Sequence, residues 1–354
     1  MNSGLFLTTV LEKFYEHLHH FEEDNYDLNR FKKEDEKVFK VQPYLLPFMQ
    51  FFIERYEGFY KTYALLKDEN SRELYIRLIL FRILGHMHVR VKDRGWSDFE
   101  ALLEKVKPYN TGKSKFDAPM LHLTLDHYDN YPYRGHQLAL ESVDINLVYT
   151  FLLDMYRYES GGVTIDVEPG DYVIDAGTCA GETTVKFAAL AGKKGRVFGF
   201  DPLPLHLAIT RHSLAQNGYD DFTTLWGYGV SDRTQGEPDD LVDHANVIKP
   251  GFSIEKDPEN IPTIRIDDFM GRQGIEKMDF IKMDIEGSEL AALKGAEETI
   301  RKHRPKLAIS LYHKIDDYIT IPQYLTETFP FYDFYLDHYT LFMQETVLYA
   351  VADK

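Results

Sequence analysis

The sequence predicts an α/β protein with a Rossmann-like seven-stranded sheet that ends in an antiparallel hairpin and follows a mainly helical N-terminal region. Three observations support this fold class. Apolar side chains recur at helical spacing through residues 4–107. After Val163, short β-rich runs alternate with helical ones, which is typical of a parallel sheet with helices on both faces. The last two β-rich runs lie too close together for a helix between them, so they predict a hairpin.

The N-terminal region carries no chemical motif. Its helices are predicted around Leu5–Leu18, Leu45–Tyr56, Ser71–Met87 and Trp96–Val106. Residues 1–140 are interpreted as a cap, a substrate module or an oligomerisation module that could join copies into a homo-oligomer. Within it, Tyr109–Tyr133 is rich in Asn, Gly, Lys, Asp and Pro and is predicted to be an irregular link that could include a short hairpin. We place the domain boundary near residue 140 and assign residues 141–354 to the second domain.

Composition and charge narrow the function. The 354 residues are 44% hydrophobic and 27% charged, which suits a folded globular protein. No apolar run approaches the roughly 20 residues that span a bilayer, and Leu5–Leu11 is too short for a signal peptide. We therefore expect a cytoplasmic protein with no membrane partner. The net charge of −17 opposes binding to a phosphate backbone, so we expect no nucleic-acid partner either.

Seven β-rich runs form the predicted sheet. In chain order they are Tyr172–Ala176, Arg196–Phe200, Thr223–Val230, Phe280–Met283, Leu307–Tyr312, Phe331–Leu336 and Thr346–Ala350. Helices fit between the first five runs. Ligands of such open α/β sheets bind at the carboxyl ends of the strands, so the residues that follow each run are the candidates for a site.

The loop after the first strand is the most informative motif. An apolar strand ends at Asp175, two glycines follow four residues apart, and a helix begins near Glu182. Glycine permits positive φ and close approach of a ligand to the backbone, and the free N–H groups of a helix start suit a carboxylate. The candidate cofactor-binding residues here are Asp175, Gly177, Thr178, Gly181 and Thr183. Two glycines at this spacing do not match the three-glycine dinucleotide fingerprint, and an ordinary tight turn is the alternative.

The next two strand ends extend this candidate site. The second strand runs into Asp201 and Pro202. A carboxylate at this point of a doubly wound sheet accepts hydrogen bonds from ribose hydroxyls. Ser231 and Asp232 close the third strand, where they would flank an adenine ring. Alternatively, these two residues form an ordinary polar loop.

The fourth and fifth strands supply the candidate catalytic residues. Asp284 and Glu286 follow the fourth strand and His313 follows the fifth, so the three side chains are predicted to converge at one edge of the sheet. His313 is the first candidate for a general base because the pKa of histidine lies near neutrality. Asp284 could orient a hydroxyl, contact the cofactor or serve as the base itself. Alternatively, His313 is a structural histidine and Glu286 is an acid at a helix start.

Two further expectations concern this edge. Asp284, Glu286 and His313 could together hold Mg²⁺ through oxygen-rich ligands, although a site without metal is favoured. Glu289, at the start of the next helix, is expected on the solvated face of that helix.

Taken together, these segments resemble the FkbM family of methyltransferases. The segments that carry the resemblance are 175–181, 195–204, 213–218, 230–232, 264–268, 279–289, 293–296 and 303–306. The most specific of them is Asp-Ile-Glu-Gly at 284–287, followed by Leu-Lys-Gly-Ala at 293–296. Five α/β strands followed by a hairpin is also the pattern of class I methyltransferases.

The resemblance implies a class I fold, S-adenosylmethionine as cofactor, and methylation of an oxygen on a sugar, a glycan precursor or a natural product. It assigns Asp175, Gly177 and Gly181 to the cofactor loop and Asp201 to the ribose. It also matches 284–287 to the fourth-strand motif. The family commonly has Asn at the positions of Cys179 and Leu203, so a side-chain contact to the cofactor is not carried over there.

Two other readings of the sequence stay open. An NAD-dependent oxidoreductase would use the same sheet, but it would need the three-glycine fingerprint and no terminal hairpin. A cofactor-binding or scaffold protein without turnover would keep the fold and lose the chemistry. The presence of Asp284, Glu286 and His313 argues against this second alternative.

Overall fold

The computed structural model describes residues 1–20, 22, 24–25, 45–116, 124–235 and 261–352. Its main sheet has seven strands, listed here from one edge to the other. They are β13 (Tyr332–His338), β14 (Thr346–Ala352), β12 (Lys306–Ser310), β11 (Phe280–Met283), β6 (Tyr172–Ala176), β7 (Arg196–Phe200) and β8 (Thr223–Trp226). Strands β8, β7, β6, β11 and β12 run parallel, whereas β13 and β14 form an antiparallel hairpin. The predicted fold class is confirmed.

The chain divides into two compact units. One comprises residues 1–102, 158–164 and 310–354, and the other comprises residues 103–157 and 165–309. We call them the N/C unit and the central unit. The domain boundary predicted near residue 140 stays a prediction.

The N/C unit contains the N-terminal helices and the terminal hairpin. Its helices are α1 (Ser3–Leu18), α2 (Leu45–Leu65), α3 (Glu69–Leu84), α11 (Asp317–Thr328) and most of α4 (Trp96–Val106). It also contains the short strand β4 (Tyr158–Ser160) and the first two residues of β5 (Val163–Ile165). The core of this unit is aromatic. Phe59 packs against Tyr75, which in turn contacts Tyr318 of α11. No helix in the described ranges is both long and apolar enough to cross a membrane.

The central unit begins with a small antiparallel sheet. It consists of β1 (Asn110–Lys113), β2 (Asp126–Tyr133) and β3 (His136–Ser142), in that order. The short hairpin that the sequence allowed here is present as β2 and β3, whereas the irregular link was wrong where β1 and β2 form a paired sheet. The alternation that identifies a strand is broken here, because the pairing of β2 with β3 shifts register between Tyr128 and Tyr131 and Asn130 has a positive φ of 54°.

The remaining helices of the central unit cover or flank its parallel strands. They are α5 (Asp144–Leu147, continued as one π-type turn to Leu152), α6 (Glu182–Ala191), α7 (Pro204–Asn217), α8 (Ile266–Gln273), α9 (Glu289–Lys294) and α10 (Glu297–His303). Helix α7 begins with a proline at its first position and ends at Gly218 in the left-handed conformation, which are favoured start and stop signals. Two short strands, β9 (Gly229–Val230) and β10 (Thr263–Ile264), pair with each other outside the main sheet.

Strands β6, β7 and β11 end at the same level. Ala176 pairs with both Phe200 and Met283, and each of these three residues is the last of its strand. The residues that follow are Gly177, Asp201 and Asp284. The three predicted site residues therefore leave the sheet side by side, at its carboxyl edge.

Candidate active site

The loop that follows β6 is shaped by two glycines that no other residue could replace without strain. Gly177 has φ 85°, and a Cβ atom there would lie 1.9 Å from the carbonyl oxygen of Asp284. Gly181 has φ 92°, and a Cβ atom there would lie 2.7 Å from Thr210 Oγ1. Gly181 caps α6 without a side-chain hydrogen bond to the first turn of the helix. The loop therefore keeps its backbone close to Asp284 and presents the amide end of a helix.

Asp175 anchors this loop from inside the protein. The carboxylate is fully buried. Its Oδ2 accepts hydrogen bonds from Thr183 Oγ1 at 2.8 Å and Thr184 Oγ1 at 2.7 Å, and its Oδ1 lies 3.0 Å from Lys282 Nζ. Asp175 and Thr183 thus hold the loop and the start of α6 in place. Direct contact of either side chain with a cofactor stays a prediction.

Lys282 is a buried cation that sequence analysis missed. It lies on β11, and its ammonium also donates to the carbonyl oxygens of Ala176, at 3.1 Å, and Gly177. Burial by itself would lower the pKa of Lys282, but the negative charges of Asp175 and Asp284 outweigh this effect and raise it. A lysine in an apolar strand pattern gives no local signal of such a role.

Asp201 is the buried acid at the end of β7. Its Oδ2 accepts hydrogen bonds from the backbone N–H of Cys179 and from His206 Nδ1, both at 3.0 Å, and its Oδ1 accepts from the N–H of Leu203 at 2.9 Å. A carboxylate has about four acceptor positions, so these three bonds leave room for one more. Asp201 therefore ties the glycine loop to the start of α7 and can still accept a hydrogen bond from a ligand.

His206 was not predicted to belong to the site. It is buried on α7, and its Nε2 has no hydrogen-bond partner within the described part of the chain. Burial by itself would lower the pKa of His206, but the hydrogen bond to Asp201 and the charges of Asp201 and Glu182 outweigh it, so the pKa is raised. Glu182 itself is buried and accepts hydrogen bonds from Ser142 and, at 3.1 Å, from Asn146 Nδ2.

The raised pKa of His206 makes a prediction about stability. A histidine whose folded pKa lies above the unfolded value stabilises the fold at low pH, and this contribution is lost as the pH rises through the folded pKa. We expect the difference in unfolding free energy between wild type and His206→Gln to shrink from about pH 5.5 to about pH 8.5. Urea unfolding across this range measures it.

His212, on the same helix, provides the control. Its pKa is lowered, first by burial and then by the nearby charge of Lys115. Protonation of His212 therefore destabilises the fold, and the corresponding difference for His212→Gln should grow over the same pH range. Parallel profiles for the two variants would contradict the assignment of charge to His206.

Asp284 leaves β11 beside the glycine loop. Its backbone N–H donates to Ala176 O at 3.0 Å, and its Oδ2 accepts a hydrogen bond from Tyr156 OH at 2.6 Å. A carboxylate oxygen of Asp284 lies within 4.8 Å of one of Glu289. The expectation that Glu289 is solvated was wrong, because the residue is fully buried and its Oε1 accepts from the N–H of Ile285 at 2.8 Å.

The other predicted residues lie around this centre or away from it. Glu286 is exposed and has a positive φ of 55°, and Pro202 is half-buried just before α7. Ser231 and Asp232 follow the separate strand β9, not the third strand of the main sheet, which ends at Trp226. That part of the prediction was wrong, and their position next to an adenine stays a prediction.

His313 belongs to the N/C unit, three residues after the end of β12. Its ring lies against that of Tyr312, with a centroid distance of 4.1 Å. Its role as a base and the binding of Mg²⁺ by Asp284, Glu286 and His313 stay predictions.

The fold and the site define a class of protein. Five parallel strands in this order, a terminal antiparallel hairpin and a glycine loop after the first of the five strands are the features of class I methyltransferases. Residues 175–343 match the family described as Methyltransferase FkbM domain. This match confirms the family resemblance seen in the sequence for the segment that it covers.

Two of the known proteins that are similar to this chain illustrate the relationship. The 2-O-methyltransferase NoeI of Sinorhizobium fredii is 25% identical over 159 residues, which cover 40% of this chain and 64% of that protein. The crystal structure of methyltransferase FkbM from Methylobacillus flagellatus KT has a TM-score of 0.53 and 22% identity, and the match covers 85% of this chain and 60% of that one. The chain therefore spans less than two thirds of the length of either protein, and the crystal structure supports the fold alone.

Proposed function

We propose that this protein is an S-adenosylmethionine-dependent O-methyltransferase that acts on a hydroxyl of a sugar, a glycan precursor or a natural product. The observation that carries the proposal is the common level at which β6, β7 and β11 end. It brings three features to one edge of the sheet: the glycine loop at Gly177, the buried acid Asp201 and a second carboxylate, that of Asp284. The name of the relative NoeI, a 2-O-methyltransferase, supports transfer to oxygen.

The residues present fit the proposed cofactor. The remaining acceptor position of Asp201 suits a ribose hydroxyl, and the unpartnered Nε2 of His206 can serve a second polar atom of the same ligand. The uncapped start of α6 at Gly181 suits the carboxylate of the methionine part. When bound, S-adenosylmethionine would supply an electrophilic methyl group on a positively charged sulfur.

The chain itself would orient the acceptor and remove its proton. An alcohol is a weak nucleophile until its proton is taken, so a base at the reacting oxygen accelerates transfer by roughly 10²–10⁴-fold. In this proposal His313 is the base and Asp284 orients the hydroxyl or shares the proton. Holding the oxygen in line with the methyl group contributes separately, because a fixed geometry removes the entropy cost of the encounter.

Methyl transfer from labelled S-adenosylmethionine tests this function. The full chain is incubated with a panel of nucleotide-sugars, saccharides and hydroxylated natural products, and labelled products are identified by mass spectrometry. Label on an acceptor oxygen is the expected result. Binding of S-adenosylmethionine without transfer to any acceptor would favour a binding protein, and absence of binding would reject the proposal. The same assay with and without EDTA tests the expectation about Mg²⁺.

A variant of Asp201 tests the cofactor site directly. Asp201→Ala should weaken binding of S-adenosylmethionine by about 1–3 kcal/mol, the scale of losing charge-assisted hydrogen bonds. Calorimetric titration measures the change. Asp221→Ala, which removes an exposed acid of the same unit, is the control and should bind as the wild type does. Equal affinities for all three proteins would show that the ribose does not bind at Asp201.

A further inference from the structure

Residues 154–156 form a strained segment just before β4. Asp154 and Tyr156 both have positive φ, 57° and 69°. An aromatic side chain rarely adopts this conformation, and it persists only where the surroundings force it. Tyr156 is 1% exposed, and its hydroxyl donates the 2.6 Å hydrogen bond to Asp284 Oδ2. The strained backbone conformation therefore places the hydroxyl of Tyr156 against Asp284, a predicted catalytic residue.

A buried lysine holds the segment in this conformation. Lys186 of α6 is fully buried. Its ammonium lies 2.7 Å from Asp154 Oδ1 and donates to the carbonyl oxygens of Met155, at 2.7 Å, and Thr150, at 3.1 Å. Three acceptors around one ammonium satisfy all three of its donors. The backbone at Thr150 and Met155 and the side chain of Asp154 are thus fixed to helix α6.

The side chain of Asp154 is fixed from the other side as well. It accepts hydrogen bonds from Tyr133 OH, at 2.8 Å, and from Arg134. Burial by itself would raise the pKa of Asp154, but the charges and hydrogen bonds of Lys186, Tyr133 and Arg134 outweigh it and lower the pKa. Asp154 therefore remains an ionised carboxylate that holds residues 154–156 in this conformation.

The ring of Tyr156 links the segment to the glycine loop. The ammonium of Lys282, which bonds Asp175 and the carbonyl of Gly177, lies 5.2 Å from the centre of this ring. The ring also contacts that of Phe187 of α6, at a centroid distance of 6.4 Å. The buried ring therefore packs against side chains of both β11 and α6, which restricts the movement of its hydroxyl away from Asp284.

We propose that Tyr156 is a positioning residue that fixes the carboxylate of Asp284 for methyl transfer, and that the Lys186–Asp154 pair holds Tyr156 in place. This inference rests on the proposed function, because it assigns Tyr156 to the carboxylate that would orient the acceptor. Tyr156 does not itself react. Its hydroxyl occupies one oxygen of Asp284 and thereby sets the direction of the other.

The variant Tyr156→Phe removes the hydroxyl and keeps the ring. Tyr128→Phe is the matched control, because Tyr128 is also buried in the central unit and donates to an aspartate, Asp144, at 2.7 Å. With an acceptor from the panel, kcat of Tyr156→Phe should fall ~10- to 100-fold, the scale of a small misplacement of a reacting group. Its Kd for S-adenosylmethionine should change by less than about threefold. Tyr128→Phe should keep the wild-type kcat.

Crystal structures of the wild type and both variants give a readout that needs no acceptor. In Tyr156→Phe the carboxylate of Asp284 should leave its wild-type position or divide between rotamers, and in Tyr128→Phe it should stay. An unmoved Asp284 in Tyr156→Phe, or a wild-type kcat, would overturn the inference. A wild-type protein that neither binds nor uses S-adenosylmethionine would reject the proposed function, and the position of Asp284 would still decide the role of Tyr156.

Discussion

A Gly177→Ala variant should lose binding of S-adenosylmethionine and unfold at a lower urea concentration than the wild type. The added methyl carbon would lie 1.9 Å from the carbonyl oxygen of Asp284 and 2.9 Å from its carbonyl carbon. The backbone of Asp284 has little room to move away, because its N–H is bonded to Ala176 O at 3.0 Å. Overpacking together with the positive φ should reduce the free energy of unfolding by about 2–5 kcal/mol.

Gly170→Ala separates the two causes. Gly170 has φ 93°, close to that of Gly177, but a Cβ atom there would meet nothing within 4 Å. The free energy of unfolding of this control should fall by only ~1–2 kcal/mol, the cost of a left-handed conformation for an L-residue. The control should bind the cofactor as the wild type does. Urea unfolding and calorimetric titration measure both effects. Equal losses in the two variants would show that the approach of Gly177 to Asp284 is unimportant.

Lys282→Met should destabilise the protein by a similar amount for an electrostatic reason. The substitution keeps the length of the side chain but removes the ammonium that neutralises Asp175, a carboxylate with no exposed surface. Breaking a buried ion pair on one side costs about 3–5 kcal/mol, because the remaining charge is left without compensation. Urea unfolding is again the measurement.

Two further proteins test the cause of this effect. Lys277→Met removes a half-exposed lysine that pairs with Asp279 at 3.0 Å, and it should change the unfolding free energy by only about 0–1 kcal/mol. Adding Asp175→Asn to Lys282→Met removes the stranded charge and should restore part of the loss. A Lys282→Met protein as stable as the wild type would refute the role of this ion pair.

The sequence predicted the sheet well because the signals for it are local. The runs at β6, β7 and β11 are mostly apolar, as is typical of buried parallel strands, and their bounds were predicted correctly. The glycine loop and the acid after β7 were found for the same reason, since each directly follows a strand.

The partners of these residues were missed because they come from elsewhere in the chain. Lys282, Glu182 and Glu289 carry charges that usually lie in water, and only distant contacts bury them. The hydroxyl of Tyr156 reaches Asp284 across 128 positions of sequence. A positive φ at an aromatic residue also has no signature in a single sequence, because tertiary contacts impose it.

The common level of the ends of β6, β7 and β11 limits how such a chain can change length. An insertion or deletion of one residue within any of these strands would turn its last side chain to the opposite face and separate the three groups that the level brings together. Length changes in connections other than the glycine loop, or in the turns of the antiparallel sheet β1–β3, leave the ends of β6, β7 and β11 side by side. We therefore expect related chains that differ in acceptor specificity to differ in segments outside these strands, while the three strands keep the same number of residues.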